Sequence, residues 1–336
     1  MYNYPNFLVC VRSLTYNHKD FITDALSGFV RQETNFPYIV CLLDDASTDG
    51  TQDVIKSFVA EQFELDAPDL AYERETEYAY ITYAQHKTNR NCYIVVHYLK
   101  YNHYQIGKKK VPYLAEWRDR VKYEALCEGD DYWTNPLKLQ KQVDFLESNF
   151  DYVMCSHIVD IYNQASNKFE QWGSQTAQDY DISSLVYGSW LFDTLSVVFR
   201  KDALDLKKYN QYKFSKDLTL FYHILSKGKG YYMEDNMAIY RKHRNGAWTG
   251  ATFEQHYRAD FECCKSIYEI DGSQLALSLI CERCFRGKGR RILFSNLKTS
   301  ISALLIYTRH NGLKAGFSFF YSKFLLGRES CPWDIR

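Results

Sequence analysis

An α/β protein with a largely parallel sheet flanked by helices is predicted by three features of this chain. Short apolar runs alternate with amphipathic segments through the first half, two acidic clusters each follow such a run, and no repeat or low-complexity segment interrupts the pattern. The clusters are DDASTDGT at 44–51 and CEGDDYW at 127–133. With 336 residues the chain can bury one substantial core plus an appendage. The expected division is an α/β domain over 1–250 and a helical, basic extension over 251–336.

The elements follow in order. Phe7 to Val11 reads as a buried strand, and from Asp20 the residues Ile22, Ala25, Leu26, Phe29 and Val30 recur at helical spacing. Tyr38 to Leu43 is a second strand. After the acidic turn, Val54, Ile55, Phe58 and Val59 share one face of a helix opening near Thr51, with Asp49 as expected N-cap and Gln52 as its capping-box partner. Tyr93 to Tyr98 and Lys122 to Cys127 have strand character, and the stretch between them carries no readable periodicity. Asn135 before Pro136 predicts a helix start, continued by Leu139, Val143 and Leu146. Strands are expected at Tyr152 to Ile161, at Leu195 to Arg200 and ahead of Tyr240, with a helix over Leu218 to Ser226. From about Thr252 the chain reads as helical.

Hydrophobic residues at 46% and charged residues at 24% fit a globular protein and exclude a disordered one. The 29 Tyr and 21 Phe serve a core as well as they serve the faces of sugars and bases. Several of the ten cysteines lie inside apolar runs such as FLVCV and YIVCLL, which predicts buried thiols in a reducing compartment. Cys281 and Cys284 form a CxxC downstream of Cys263 and Cys264, but the adjacent pair and one-face helical spacing argue against zinc. MYNYPNFLVC has no basic leader, and no uncharged stretch approaches the ~18 residues of a spanning helix. A cytoplasmic protein is expected.

The formal net charge is zero but unevenly spread, for between Arg283 and Arg328 the basic residues occur with no acid among them. Interleaved with apolar residues, they would suit the inner face of an anionic membrane, or equally a helical extension packed on the rest of the chain or a dimer contact. Nucleic acid is not expected, because the remainder of the chain is acidic.

In open α/β sheets ligands sit beyond the carboxyl ends of the strands, where both acidic clusters stand. A carboxylate there can accept hydrogen bonds from a base or from ribose hydroxyls. Asp45, Ser47, Asp49 and Gly50 begin like a calcium loop, but Lys56 occupies the position where that loop needs Glu. Adjacent carboxylates such as Glu128, Asp130 and Asp131 repel one another unless something positive lies between them. A hard dication, Mg²⁺ or Mn²⁺, shared with a diphosphate would satisfy them. Arg241, His243 and Arg244 supply donors for such a diphosphate within one short segment.

TYNHKDFI (15–22), DDASTDGT, GDDYWTNPLKLQKQVDFLE (129–147), SVVFRK (196–201) and YRKHRNGAW (240–248) stand in an order and spacing that resembles the family 2 glycosyltransferases of GT-A fold, from about Phe7 to Trp248. The resemblance implies a GT-A type, Rossmann-like sheet over the first 250 residues and an inverting transfer of a sugar from a nucleoside diphosphate, a UDP-sugar first, to a saccharide or lipid-linked acceptor in surface polysaccharide or glycolipid synthesis. It implies nucleoside contacts from Thr15, Tyr16, Asn17, Asp44 and Asp45, with Asp45 favoured for the base. Asp130, Asp131 and His243 are implied for the metal, and Tyr240, Arg241 and Arg244 for the diphosphate. Asp217, opening a helix in SKDLTLFYHIL, matches the family's general base, with Asp193 in WLFDTLS as a local rival. Two departures stand out. The second acidic motif begins with Glu128 where Asp is usual, which weakens its implied ribose contact, and YNHYQIGKKKVPYLAEWRDRVKYEAL replaces the usual stretch between the clusters. Lys108, Lys109 and Lys110 are expected there as a solvated basic loop. A sugar-phosphate nucleotidyltransferase would need a glycine-rich basic loop that VRSLTYNHKDF lacks; a non-catalytic sugar-nucleotide-binding protein would not need Asp130, Asp131 and Asp217 intact.

Overall fold

The computed structural model of the protein describes residues 4–67, 69–171, 176–185, 192–214, 216–244, 246, 250–277 and 297–321. YIVCLLD forms β2 (Tyr38–Asp44), with all seven residues buried. A parallel strand covered on both faces must be apolar throughout, which is why this run shows no alternation. β1 (Val9–Thr15) lies parallel to β2, in register from Val9 opposite Tyr38 to Thr15 opposite Asp44. β5 (Cys92–Leu99) extends the parallel set beyond β2, and β6 (Tyr123–Leu126) extends it beyond β1.

Antiparallel pairs flank this centre. β3 (Ala71–Glu75) and β4 (Ala79–Gln85) add to the outer edge of β5. On the other side β11 (Val198–Arg200) lies antiparallel to both β6 and β8 (Tyr152–Asn163), and β12 (Lys229–Lys242) runs parallel to β8. β7 (Tyr132–Trp133) pairs with β12, and β9 (Lys168–Gln171) pairs with β8. With β10 (Gln178–Tyr180) at one edge, the order is β10-β12-β8-β11-β6-β1-β2-β5-β4-β3.

Alternate side chains of the central strands feed two cores. Val9, Val11, Val40 and Leu42 pack with Ile22, Ala25, Leu26 and Phe29 of α1 (Ile22–Val30), Ile55 and Val59 of α2 (Thr51–Gln62), and Leu139, Val143 and Leu146 of α4 (Lys138–Ser148). The other face gathers Cys10, Ile39, Cys41, Leu43 and Val95 against Leu114 and Trp117, the latter from α3 (Ala115–Arg118). Aromatic residues fill that face: Trp117 stacks on Tyr83 with centroids 5.2 Å apart, and Tyr4 meets both rings edge-on. Much of the tyrosine content is therefore structural.

The structure corrects several local expectations. Gly50 (φ 97°) is the N-cap of α2 and no side chain caps it; Gln52 instead donates to Asp44 Oδ1 at 2.6 Å. α4 begins at Lys138, and Asn135 Oδ1 accepts from the Leu137 amide at 2.9 Å in the turn before it. The unreadable stretch between Tyr98 and Lys122 holds α3, and β3 and β4, ahead of Tyr93, answer to no strand expected from the sequence; their short, partly exposed runs carry too little periodicity to be seen there.

The chain divides into two units, the first made of Met1–Asp179, Leu191–Ala203 and Gly228–His243, the second of Tyr180–Trp190, Leu204–Lys227 and Arg244–Arg336. The second unit thus takes two segments that lie before residue 250 in the chain. It contains α5 (Leu206–Tyr209), α6 (Asp217–Leu225), α7 (Phe253–Asp271), α8 (Leu297–Asn311) and α9 (Leu313–Phe320). Thr252 and Gln255 form a capping box on α7, Gly272 ends it in the left-handed conformation, and Tyr222 of α6 donates to Asp271. Seven cysteines are buried free thiols, whereas Cys281, Cys284 and Cys331 lie outside the described residues, as does most of the basic run after Arg283. Among the described residues no helix is long and apolar enough to cross a membrane.

Gly28 sets how closely α1 approaches β7. A Cβ at this position would lie 2.8 Å from the Trp133 carbonyl oxygen and 2.9 Å from its amide nitrogen, and neither backbone atom can move without shifting the strand. Gly28→Ala is therefore expected to cost about 1–3 kcal/mol through overpacking. Urea unfolding should show a lower midpoint at an unchanged slope; an unchanged midpoint would show slack between α1 and β7.

Candidate active site

β1, β2 and β6 end side by side, so the loops that follow them meet at one edge of the sheet. The TYNHK segment after β1 is tied to the DDASTDGT segment after β2 by a set of hydrogen bonds. The Asn17 amide donates to Ser47 Oγ at 2.8 Å, and the Thr48 amide donates to Asn17 Oδ1 at 2.8 Å. The amides of His18 and Lys19 donate to Thr51 Oγ1 at 2.9 Å and Asp49 Oδ2 at 3.1 Å. Asn17 (φ 56°) and Ala46 (φ 60°) both occupy the left-handed region, which Asn tolerates and Ala does not readily. The two turns hold each other in that conformation.

The CEGDD turn approaches β1 equally closely. Pairing of β6 with β1 stops at Leu126 opposite Arg12, but the Gly129 amide still donates to Leu14 O at 2.9 Å, and the Leu14 amide donates to Glu128 Oε2 at 3.0 Å. The Glu128 carboxylate thus stands in for the next strand carbonyl, a contact that its extra methylene helps it to reach. Gly129 has no room for a side chain, because a Cβ would meet Thr15 Oγ1 at 2.6 Å.

This turn brings Asp130 to two histidines. His243 Nε2 lies 3.0 Å from Asp130 Oδ2, and His18 Nε2 lies 3.7 Å from the same oxygen. Burial acts to raise the Asp130 pKa, but the His243 hydrogen bond and the charges of His18 and His243 outweigh it and hold the carboxyl below its usual range. One donor atom from each of His18, Asp130 and His243 falls within 4.8 Å of the others. A cation with ligands near 2.1 Å spaces adjacent donors about 3 Å apart, so small movements would close this set on an ion. The chemistry and spacing of the donors fit a divalent metal.

The other expected residues are placed differently. Asp131 is buried, its Oδ1 accepts the Arg241 amide at 2.8 Å, and burial followed by the charge of Asp130 pushes its pKa well up. It fastens β12 to the turn and does not join the cluster. Arg241 is also committed within the protein: its guanidinium donates to Asp130 O at 3.0 Å and Asp24 Oδ2 at 2.6 Å, and lies over Phe21 and Tyr132. That arrangement braces the backbone of Asp130 and leaves little of the arginine for a diphosphate. Tyr240 is partly buried against the core, and Arg244 is exposed.

Asp45, expected at the base, accepts the amides of His103 at 2.7 Å and Tyr104 at 3.1 Å and pairs with Lys110 Nζ at 2.8 Å. It organises the loop after β5, and Lys110 is a bound partner of that carboxylate, not part of a solvated basic loop. Asp44 accepts from the amide and hydroxyl of Ser47 and from Gln52; burial still raises its pKa. Thr15 is buried with Oγ1 3.1 Å from His18 Nδ1, and Tyr16 is half-buried in the turn. Asp217 opens α6 and belongs to the second unit, whereas Asp193 belongs to the first.

Sequence reasoning passed over His18, His103 and Asp24, and it read Lys110 as solvated. His18 stood inside a quoted motif and its residue type was the available signal; the others act through tertiary partners that no local pattern reveals. A cavity of about 400 Å³ lined by Lys19, Thr23, Gly50, Asp53 and Phe58 lies beside α1 and α2, but none of the three clustered donors borders it.

A family model described as Glycosyl transferase family 2 matches residues 11–76. The uncharacterized protein Rv1520 of Mycobacterium tuberculosis (strain ATCC 25618 / H37Rv) is 30% identical over 248 residues, 71% of this chain and 60% of the relative. The same figures hold for the uncharacterized protein Mb1547 of Mycobacterium bovis. The chain therefore spans about 60% of the length of these relatives. Among solved structures, residues 1–349 of S. aureus TarS in complex with UDP superpose with a TM-score of 0.56 at 14% identity, covering 90% of this chain and 80% of that one. The complex of the same protein with UDP-GlcNAc gives a TM-score of 0.55 at 15% identity, with the same coverage. At such identity the likeness establishes the fold alone.

Burial pushes the Asp193 carboxyl up to about 6, with Lys242 acting the other way. Between its ordinary pKa and about 6 the folded protein keeps a proton that the unfolded chain has lost, so stability falls as pH rises through this window and the full penalty applies above it. Asp193→Asn is expected to stabilise the fold at pH 7.5 by about 1–3 kcal/mol, with the gain shrinking toward pH 4. Urea unfolding at the two pH values checks this; equal stability at pH 7.5 would mean that the folded protein compensates the charge.

Proposed function

We propose that the chain is a family 2 glycosyltransferase of GT-A fold that transfers a sugar, with inversion, from a nucleoside diphosphate donor to an acceptor hydroxyl, using a divalent cation. The observation that carries this reading is the contact of Asp130 with His243, which joins the loop after β6 to the end of β12 at the sheet edge where α/β proteins bind ligands. Mg²⁺ or Mn²⁺ bound there would neutralise charge on the departing diphosphate. Asp130 and His243 would hold that ion, while Asp131 and Arg241 fasten the turn that carries Asp130 to the end of β12.

The nucleoside is assigned to the rim formed by Thr15, Tyr16 and Asn17, the 44–51 turn, and Glu128. In this reading Asp44 and Asp45 shape the rim through the loops they hold. A fold shared with a protein seen with UDP and UDP-GlcNAc makes a UDP-sugar the first donor to try. A saccharide or lipid-linked acceptor of the cell envelope suits the family, with the basic residues after Arg283 available to an anionic membrane surface.

A single displacement needs one general base to take the acceptor's proton. Asp217, the first residue of α6, is assigned this role on the family pattern. Asp193 is the second reading, favoured by a carboxyl pushed up to about 6 and by its place in the unit that carries the cluster. Substitution separates them: the true base should lose at least about 100-fold in kcat as Asn with little change in KM, and the other should lose under threefold.

Release of nucleoside diphosphate from a panel of UDP- and GDP-sugars, with Mn²⁺ and simple saccharide or lipid-phosphate acceptors, tests the whole reading. Asp130→Asn and His243→Ala are each expected to reduce kcat/KM by about 100-fold or more. The reading is abandoned if no donor is turned over, or if turnover survives both substitutions.

A further inference from the structure

Asp130 and His243 do not exhaust the donors at this position. His18 is delivered to the same carboxylate by the most heavily fastened turn of the site: its own amide is held by Thr51, and Asn17 and Lys19 on either side are held by Ser47 and Asp49. Its Nδ1 lies 3.1 Å from Thr15 Oγ1, so Nε2 is the nitrogen turned toward Asp130. An imidazole that binds a metal through one nitrogen commonly has its orientation set by a hydrogen bond at the other.

Another role for His18 fits less well. At 3.7 Å the distance to Asp130 is too long for a hydrogen bond, so the ring is not placed as that carboxylate's hydrogen-bonding partner. An imidazole hydrogen-bonded at one nitrogen, with the other turned toward a carboxylate and a second imidazole whose donor atoms lie within 4.8 Å of its own, is arranged as a ligand.

We propose that His18 is a third protein donor to the cation, so that two imidazoles and one carboxylate select a transition-metal dication such as Mn²⁺ over Mg²⁺. This rests on the reading that Asp130 and His243 hold a cation. Mg²⁺ prefers oxygen ligands and keeps its waters, whereas imidazole donors favour first-row transition metals. His18 thereby becomes a determinant of which ion the enzyme uses, and the turn after β2 contributes to the metal site through the residue it positions.

Electron spin-echo modulation on Mn²⁺ bound to the full chain, alone and with UDP, counts coordinated histidine nitrogens without relying on turnover. Two are expected in the unsubstituted protein, and one each in His18→Ala and His243→Ala. His18→Ala should weaken Mn²⁺ binding at least tenfold while changing Mg²⁺ binding less than threefold, and His18→Asp should narrow the preference by restoring an oxygen donor. A single nitrogen in the unsubstituted protein would overturn the proposal and leave the cation reading intact; this count stands even if a variant fails to fold. No Mn²⁺ binding with or without UDP, together with nucleotide release insensitive to EDTA, would remove the cation reading and this proposal with it.

Discussion

The site depends on β1 and β2 ending at the same height. Thr15 stands opposite Asp44 in the last step of their register, so the turns that follow start side by side and can saturate each other's polar groups. Ser47, Thr48, Asp49 and Thr51 on one turn are matched with Asn17, His18 and Lys19 on the other. A polar turn left to water would sample many conformations; pairing two of them offsets the cost of holding Asn17 and Ala46 in the left-handed region. The third turn is then placed by contact, since Gly129 packs without clearance against Thr15.

This changes what the first acidic cluster does. Read as a string of carboxylates it looks like a ligand-binding loop, yet the described contacts of Asp44, Asp45 and Asp49 are with the protein's own amides, hydroxyls and amines. Such a cluster acts as a scaffold: carboxylates accept several hydrogen bonds at once, and two oxygens on a short stem can bridge backbone groups from different loops. Asp45 does this for the segment after β5, and Asp131 does it for β12. Arg241 plays the complementary part with its five donors, joining Asp24 on α1 to the backbone of Asp130.

The α/β class and the central elements were legible because a continuous apolar run such as YIVCLL or an Ile22–Leu26–Phe29 stripe has one cheap solution in water, which is burial. The positions of Asp130 and His243 at one place were legible through motif order. What escaped was set by contacts distant in sequence. Gln52 looked like a capping partner until Asp44 took its amide, Lys110 looked solvated until Asp45 reached it, and no property of HKD in isolation announces that His18 will face residue 130. The segment with β3, β4 and α3 escaped because its strands are short and partly exposed, and its buried aromatic residues fall at no fixed period.

The pairing of β8 with β12 carries a consequence for how the protein is made. These strands run parallel along most of their length, yet β8 ends at Asn163 and β12 begins at Lys229, and between them the chain leaves the first unit twice. On a ribosome, β8 would emerge long before its neighbour exists, with an apolar edge exposed until the later segments are translated. Closure of the first unit is thus postponed until the segment Gly228–His243 has been made. During that interval, chaperone occupancy or slow elongation would protect this nascent chain more than a strengthened core would.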